Sequence, residues 1–177
     1  MKPRYIIDAN AFIKPYREYY AFDLAPGYWE NLLALMSDGC IVTIDKVMDE
    51  ICIAKESDKK DELQLWTESN IPAGAIIKTF VDPAIVAEYA NVINYIHESQ
   101  LYTEVALRNW SNGTTADPWL IATAKAYNLR LVSFEKPNTG LSRNTPSKNA
   151  KIPDVSSNCG VNCCSLFDMM RSCKLSL

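Results

Sequence analysis

The sequence predicts an α/β fold of three layers, with helices on both faces of a central, mainly parallel sheet. Two observations carry this. Short runs such as Tyr5-Ile6-Ile7, residues 40–44 and residues 130–134 are β-favouring and too continuously apolar for strands with a wet face, so they read as strands buried on both sides. Between them lie stretches with apolar residues at helical spacing. Strand, helix and strand in that order make a right-handed parallel crossover.

Along the chain, the first strand ends on Asp8, followed two residues later by Asn10 and a helical stretch. Residues 14–22 are aromatic and basic (Tyr16, Arg17, Tyr19, Tyr20, Phe22); bases could stack on such a surface, and packing against the fold explains it as well. Pro26 starts a helix with Trp29, Leu32, Leu33 and Met36 on one face, stopping at Asp38-Gly39. Residues 40–44 form the second strand and lead into a helix near residues 45–54, striped with Val47, Met48, Ile51 and Ala54; Glu50 lies one position off that stripe. A polar break at 55–60 precedes a short helix over 61–68. Residues 75–80 suit a short strand or an extended link, and Pro83 opens the longest amphipathic helix, through Ile85, Tyr89, Val92, Ile93 and Ile96. After the Asn112-Gly113 turn, Asp117 at the N-cap and Pro118 at the first helical position start an Ala-rich helix that ends at Asn128. The strand over 130–134 runs into Glu135. Residues 136–150 are a loop with cations and no acid, a last strand is expected near Lys151-Ile152, and a closing helix spans 165–171.

The 177 residues fit one domain, 1–177, that buries roughly 70% of its extended-chain surface. No run of about 18 apolar residues is present, so no membrane partner is expected. Met1-Lys2-Pro3-Arg4 is basic, but the apolar run behind it is too short for a signal peptide. The expected location is cytoplasmic. Up to Glu135 the chain has 12 Lys and Arg against 19 Asp and Glu, a balance of −7; beyond it 6 stand against 2, a balance of +4. An acidic body with a basic end suits a metal in one place and phosphate backbone nearby, and equally a solvated loop. Six cysteines in a cytosolic chain argue against disulfides. Cys159, Cys163, Cys164 and Cys173 lack the two spaced pairs of a structural zinc site, which favours buried free thiols. The lone His97 excludes mechanisms needing two histidines and makes a Ser-His-Asp hydrolase improbable.

Each acid has a bland explanation. Asp8 or Asn10 would cap the next helix, Glu50 would face solvent, and Asp117 would be an N-cap. Topology brings them together nonetheless. Asp8 and Glu135 follow parallel strands, Asp117 begins a helix and Glu50 stands in the second turn of another, so all four point to one edge of the sheet, where α/β proteins bind ligands. Two like charges about 4 Å apart repel by roughly 4 kcal/mol at an effective dielectric of 20. Several such pairs consume much of a typical stability of about 5–15 kcal/mol. Either the carboxyl pKa values rise or a divalent cation neutralises them, and all-oxygen ligands select Mg²⁺ or Mn²⁺.

The ordered set Ile-Ile-Asp-Ala-Asn, Asp-Lys-Val-Met-Asp-Glu-Ile, Ala-Asp-Pro-Trp-Leu-Ile-Ala-Thr-Ala and Leu-Val-Ser-Phe-Glu resembles a PIN domain over nearly the whole chain. More narrowly, Tyr28-Trp29, Asp61-Glu62-Leu63, Lys151-Ile152-Pro153-Asp154 and Leu166-Phe167-Asp168 resemble a bacterial and archaeal PIN-like branch of poorly known function. The resemblance implies a metal-dependent ribonuclease leaving 5′-phosphate and 3′-hydroxyl ends, often the toxin of a toxin–antitoxin pair. It maps the acidic site onto Asp8, Glu50, Asp117 and Glu135, the last being usually Asp in that family. Asp154 would supplement Glu135, and Asn10 would orient Asp8.

The expected mechanism has Asp8, Asp117 and Glu135 holding one or two Mg²⁺ or Mn²⁺ ions. Glu50 would complete the site or accept a proton from the attacking water. Lys136, Arg143, Lys148 and Lys151 would hold the RNA backbone. Partners would be the RNA substrate, an antitoxin protein, and a second copy in a homodimer; the aromatics at 16–22 suit the last two equally. Two rival readings stand beside this: a PIN-like module that binds RNA or protein without cutting, and a phosphohydrolase with Asp8 as nucleophile, which would want an acid where Asn10 stands.

Overall fold

The computed structural model describes residues 5–54 and 56–175; the basic stretch 1–4 and Lys55 of the polar break lie outside them. Five strands, β1 (Tyr5–Ile7), β2 (Ile41–Ile44), β3 (Ile76–Ile77), β4 (Arg130–Val132) and β5 (Cys163–Cys164), pair in the order β3-β2-β1-β4-β5. Every pairing is parallel, with Tyr5 beside Ile41 and Arg130, and Ile7 beside Val132.

That order fixes where the helices go. From β1 the chain steps outward to β2 and β3, through α1 (Asn10–Lys14), α2 (Pro26–Ser37), α3 (Asp45–Ile51) and α4 (Glu62–Asn70). It then crosses back to the other side of β1, through α5 (Pro83–Glu98), α6 (Glu104–Trp110) and α7 (Ala116–Tyr127), and reaches β5 through α8 (Ile152–Asn158); α9 (Leu166–Cys173) closes the chain. Right-handed crossovers running in opposite directions lie on opposite faces, which gives the three layers. The direction reverses between β1 and β4. The crevice beyond their carboxyl ends is the topological switch point, where open α/β sheets take ligands.

The core follows from composition. Ile6, Ile7, Ile41, Ile44, Leu131 and Val132 have no exposed surface, and each such side chain contributes roughly 1.5–3 kcal/mol by leaving water. α7 lies across β1, β2 and β4 with α5 packed beside it. Ala122, Thr123 and Ala124 are buried, so the helix lies close on the sheet. Trp119 locks it from outside, stacked on Tyr89 at 3.9 Å between ring centroids, with its indole N–H donating to the Gly113 carbonyl. Asn128 ends α7 in the left-handed conformation (φ 54°), as short polar residues tolerate.

Several expectations need correction. The strand expected near Lys151-Ile152 is the start of α8: Pro153 sits in its first turn, where a missing N–H costs nothing. The fifth strand is Cys163–Cys164 instead. α7 begins at Ala116, with Thr115 at the N-cap, so Asp117 lies in the first turn and is not the cap. α3 stops at Ile51 rather than 54, and Pro15–Tyr19 form one wide π-helical turn after α1. The cysteines are expected to be buried; Cys40 is, and the other five are only half-buried. Among the described residues no helix is long and apolar enough to cross a membrane.

Candidate metal centre

Asp8 leaves β1 at the switch point with only 3% of its surface exposed. One carboxylate oxygen accepts the Ala11 backbone N–H at 3.0 Å. Burial pushes its carboxyl from the ordinary 3.8 up to about 7, against the pull of that hydrogen bond; repulsion from Asp117, Glu135 and Glu50 pushes the same way. The Asn10 side chain makes no hydrogen bond to Asp8, so the group that orients this carboxylate is the N–H of Ala11, the second residue of α1.

Asp117, in the first turn of α7, is partly buried and receives no hydrogen bond from the described residues. Burial, then repulsion from Glu135 and Glu50, raise its carboxyl to about 7. Glu50 keeps an exposed flank on α3, and one of its oxygens accepts the Ala116 N–H at 3.2 Å. It thereby supplies from another helix the cap that Thr115 does not give. Desolvation raises the Glu50 carboxyl above its usual range despite that hydrogen bond.

Glu135 follows β4 with its own N–H donated to the buried Ser133 hydroxyl. Its side chain accepts the Ile152 N–H at 2.8 Å, the first of α8, whose N-cap residue Lys151 makes no side-chain cap. Glu50 and Glu135 therefore do matching jobs: each pins the start of a helix with one oxygen and keeps one. Asp154 does not join them. Both its oxygens accept the Asn138 N–H, at 3.2 and 3.1 Å, which anchors the start of the 136–150 loop. Lys136, Arg143 and Lys148 are exposed, Lys151 is half-buried, and none of the four forms an ion pair among the described residues. His97 is exposed on α5.

Asp117, Glu135 and Glu50 thus all act electrostatically on Asp8, and Glu135 and Glu50 on Asp117. An all-oxygen set of this kind fits a hard divalent cation and no soft one. Among the described residues no three His, Cys, Asp or Glu side chains are arranged so that they could hold a metal ion as they stand. Glu50 and Glu135 each turn one oxygen to a helix start. The residues that would hold such an ion are Asp8, Asp117 and Glu135, directly or through water, with Glu50 beside them. Sequence reading missed three partners: the backbone N–H groups of Ala11, Ala116 and Ile152. It also missed Lys14, whose ammonium lies 5.1 Å from the ring centre of Phe134, beside Glu135.

A family model described as a domain of unknown function, DUF4411, matches residues 5–177. No curated protein matches the chain. Among solved structures, the crystal structure of VapBC2 from Rickettsia felis bound to a DNA fragment from their promoter matches 74% of this chain and 86% of that one, at 16% identity and a TM-score of 0.49.

Proposed function

The chain belongs to the family described as a domain of unknown function, DUF4411, and we propose that it is a PIN-like ribonuclease dependent on Mg²⁺ or Mn²⁺. One observation carries the reading. Asp8 and Asp117, far apart in sequence, both have carboxyls raised to about 7, mainly by burial, and Glu50 and Glu135 add repulsion to each. Burying two such groups is costly unless a cation is expected there.

Bound by Asp8, Asp117 and Glu135, a divalent ion would lower the pKa of a water and neutralise charge on the scissile phosphate. The rest falls to the chain's own groups. Ala11 N–H holds the Asp8 carboxylate in one orientation. Glu50, with one oxygen tied to Ala116 and a raised proton affinity, would take the proton of the attacking water with the other. The unpaired cations Lys136, Arg143, Lys148 and Lys151 hold RNA phosphates on the loop that Asp154 anchors. The products are RNA ends carrying 5′-phosphate and 3′-hydroxyl. In the cell this activity suits a toxin restrained by an antitoxin protein.

The test is cleavage of single-stranded RNA with Mg²⁺ or Mn²⁺ by the wild type, Asp8→Asn and Asp117→Asn. Loss of cleavage in both variants, with folding intact, supports the assignment; activity that survives Asp8→Asn contradicts it. One observation favours the second reading, a PIN-like module that binds without cutting: Glu50 and Glu135 already serve helix starts. Calorimetric titration with Mn²⁺ separates the two, since the binding module shows no heat at millimolar metal.

A further inference from the structure

Away from the acids, α2 and α4 leave an open cleft of about 490 Å³. Its α2 side presents Pro26, Trp29 and Glu30; its α4 side presents Glu62, Leu65, Trp66 and Ser69, at spacings that put them on one helix face. Phe22 closes the end, with ring centroids 4.5 Å from Trp29 and 5.3 Å from Trp66. The two indoles stand 4.8 Å apart, edge to face. Leu65 is 46% exposed at the rim, an unusual place for a leucine with nothing to cover it.

The charge on this cleft has one sign. Glu30 makes no ion pair or hydrogen bond among the described residues, and Glu62 spends one oxygen on the Tyr16 hydroxyl, leaving the other open. Among the described residues no Lys or Arg lines it. A nucleobase would stack on these rings, but its phosphates would meet two carboxylates. A cation is attracted by both the ring faces and the acids.

We infer that this cleft takes an arginine side chain presented by a basic segment of a partner protein. Arginine suits it better than lysine, because a flat guanidinium stacks on an indole while it pairs with a carboxylate, and its aliphatic stem covers an apolar rim such as Leu65. The open mouth favours a side chain delivered from outside over an enclosed small molecule. The site is independent of the metal centre, so it stands or falls apart from the nuclease reading.

The test is calorimetric titration of the whole chain, at low salt, with a short peptide of alternating arginine and glycine and with its citrulline counterpart, the same shape without charge. The arginine peptide binds, and the citrulline peptide binds at least about tenfold more weakly. Glu30→Gln with Glu62→Gln, both surface changes, weakens the arginine peptide about fivefold or more, and Trp66→Leu does likewise. Equal affinity of the two peptides, or an unchanged affinity in the double Gln variant, overturns the proposal, as does no binding at millimolar peptide. So does an oligouridylate that displaces the peptide and binds the double variant more tightly than the wild type, because the cleft would then be a nucleotide surface. If Trp66→Leu fails to fold by circular dichroism, the two Gln substitutions still decide.

Discussion

Glu50 on α3 accepts the backbone N–H of Ala116 at 3.2 Å, and so fixes the start of the helix that carries Asp117 in its first turn. A hydrogen bond between residues so distant in sequence ties two acids of the centre into one mechanical unit. Glu50→Ala removes the cap and costs about 1 kcal/mol, whereas Glu50→Gln keeps an acceptor oxygen there and costs only a few tenths. Urea unfolding measures the difference. If Glu50 also takes the water's proton, both variants lose cleavage alike; a Glu50→Gln enzyme as active as wild type would leave Glu50 only the positioning role.

Asp8 gives a pH signature of unusual sign. Its carboxyl titrates near 3.8 when unfolded and near 7 when folded. Between those values the folded state holds the extra proton, so metal-free stability falls as pH rises from about 4 to about 7, by up to about 4 kcal/mol for this group. Asp8→Asn cannot ionise and escapes the loss. Its metal-free melting temperature should therefore match the wild type near pH 4 and exceed it at pH 8. An equal or lower melting temperature at pH 8 would mean that Asp8 is not buried among acids.

The same linkage sets where metal helps. A divalent ion at the proposed site would bind the ionised carboxylates, so Mn²⁺ should raise the wild-type melting temperature much more at pH 8 than at pH 5, where Asp8 and Asp117 hold their protons. A hundredfold excess over the dissociation constant adds about 2.7 kcal/mol. Asp8→Asn and Asp117→Asn should lose most of that shift. A shift independent of pH would point to ions bound elsewhere.

What could be read from the sequence was mostly what local pattern dictates. The apolar runs gave β1, β2 and β4, because a doubly buried strand needs an unbroken apolar stretch. That Asp117 and Glu135 act electrostatically on Asp8 is in line with where parallel strands end and helices begin. α6 was overlooked, since seven residues carry too little periodicity, and Cys163–Cys164 carry no strand signal of their own. Pro153 was the overlooked clue to α8, because Pro marks the first turn of a helix. The roles of Glu135 and Asp154 were beyond reach: which N–H each carboxylate takes depends on the packing of Ile152 and Asn138 beside them.

Asp154 and the loop cations give the last test, one of binding rather than chemistry. Asp154 grips the Asn138 N–H with both oxygens and has no place among the acids that bear on Asp8 or Asp117. Asp154→Ala should therefore loosen residues 136–150, seen as faster hydrogen exchange at Asn138, and leave Mn²⁺ affinity unchanged. RNA affinity should fall, because Lys136, Arg143 and Lys148 lose their fixed positions. Replacing Lys136 and Lys148 by Gln should reduce the slope of log affinity against log salt by about 0.7 for each phosphate no longer neutralised. Both outcomes together would make the loop a phosphate clamp anchored by Asp154. An unchanged salt slope would place the RNA on another face, and a lost Mn²⁺ affinity in Asp154→Ala would return that residue to the metal centre.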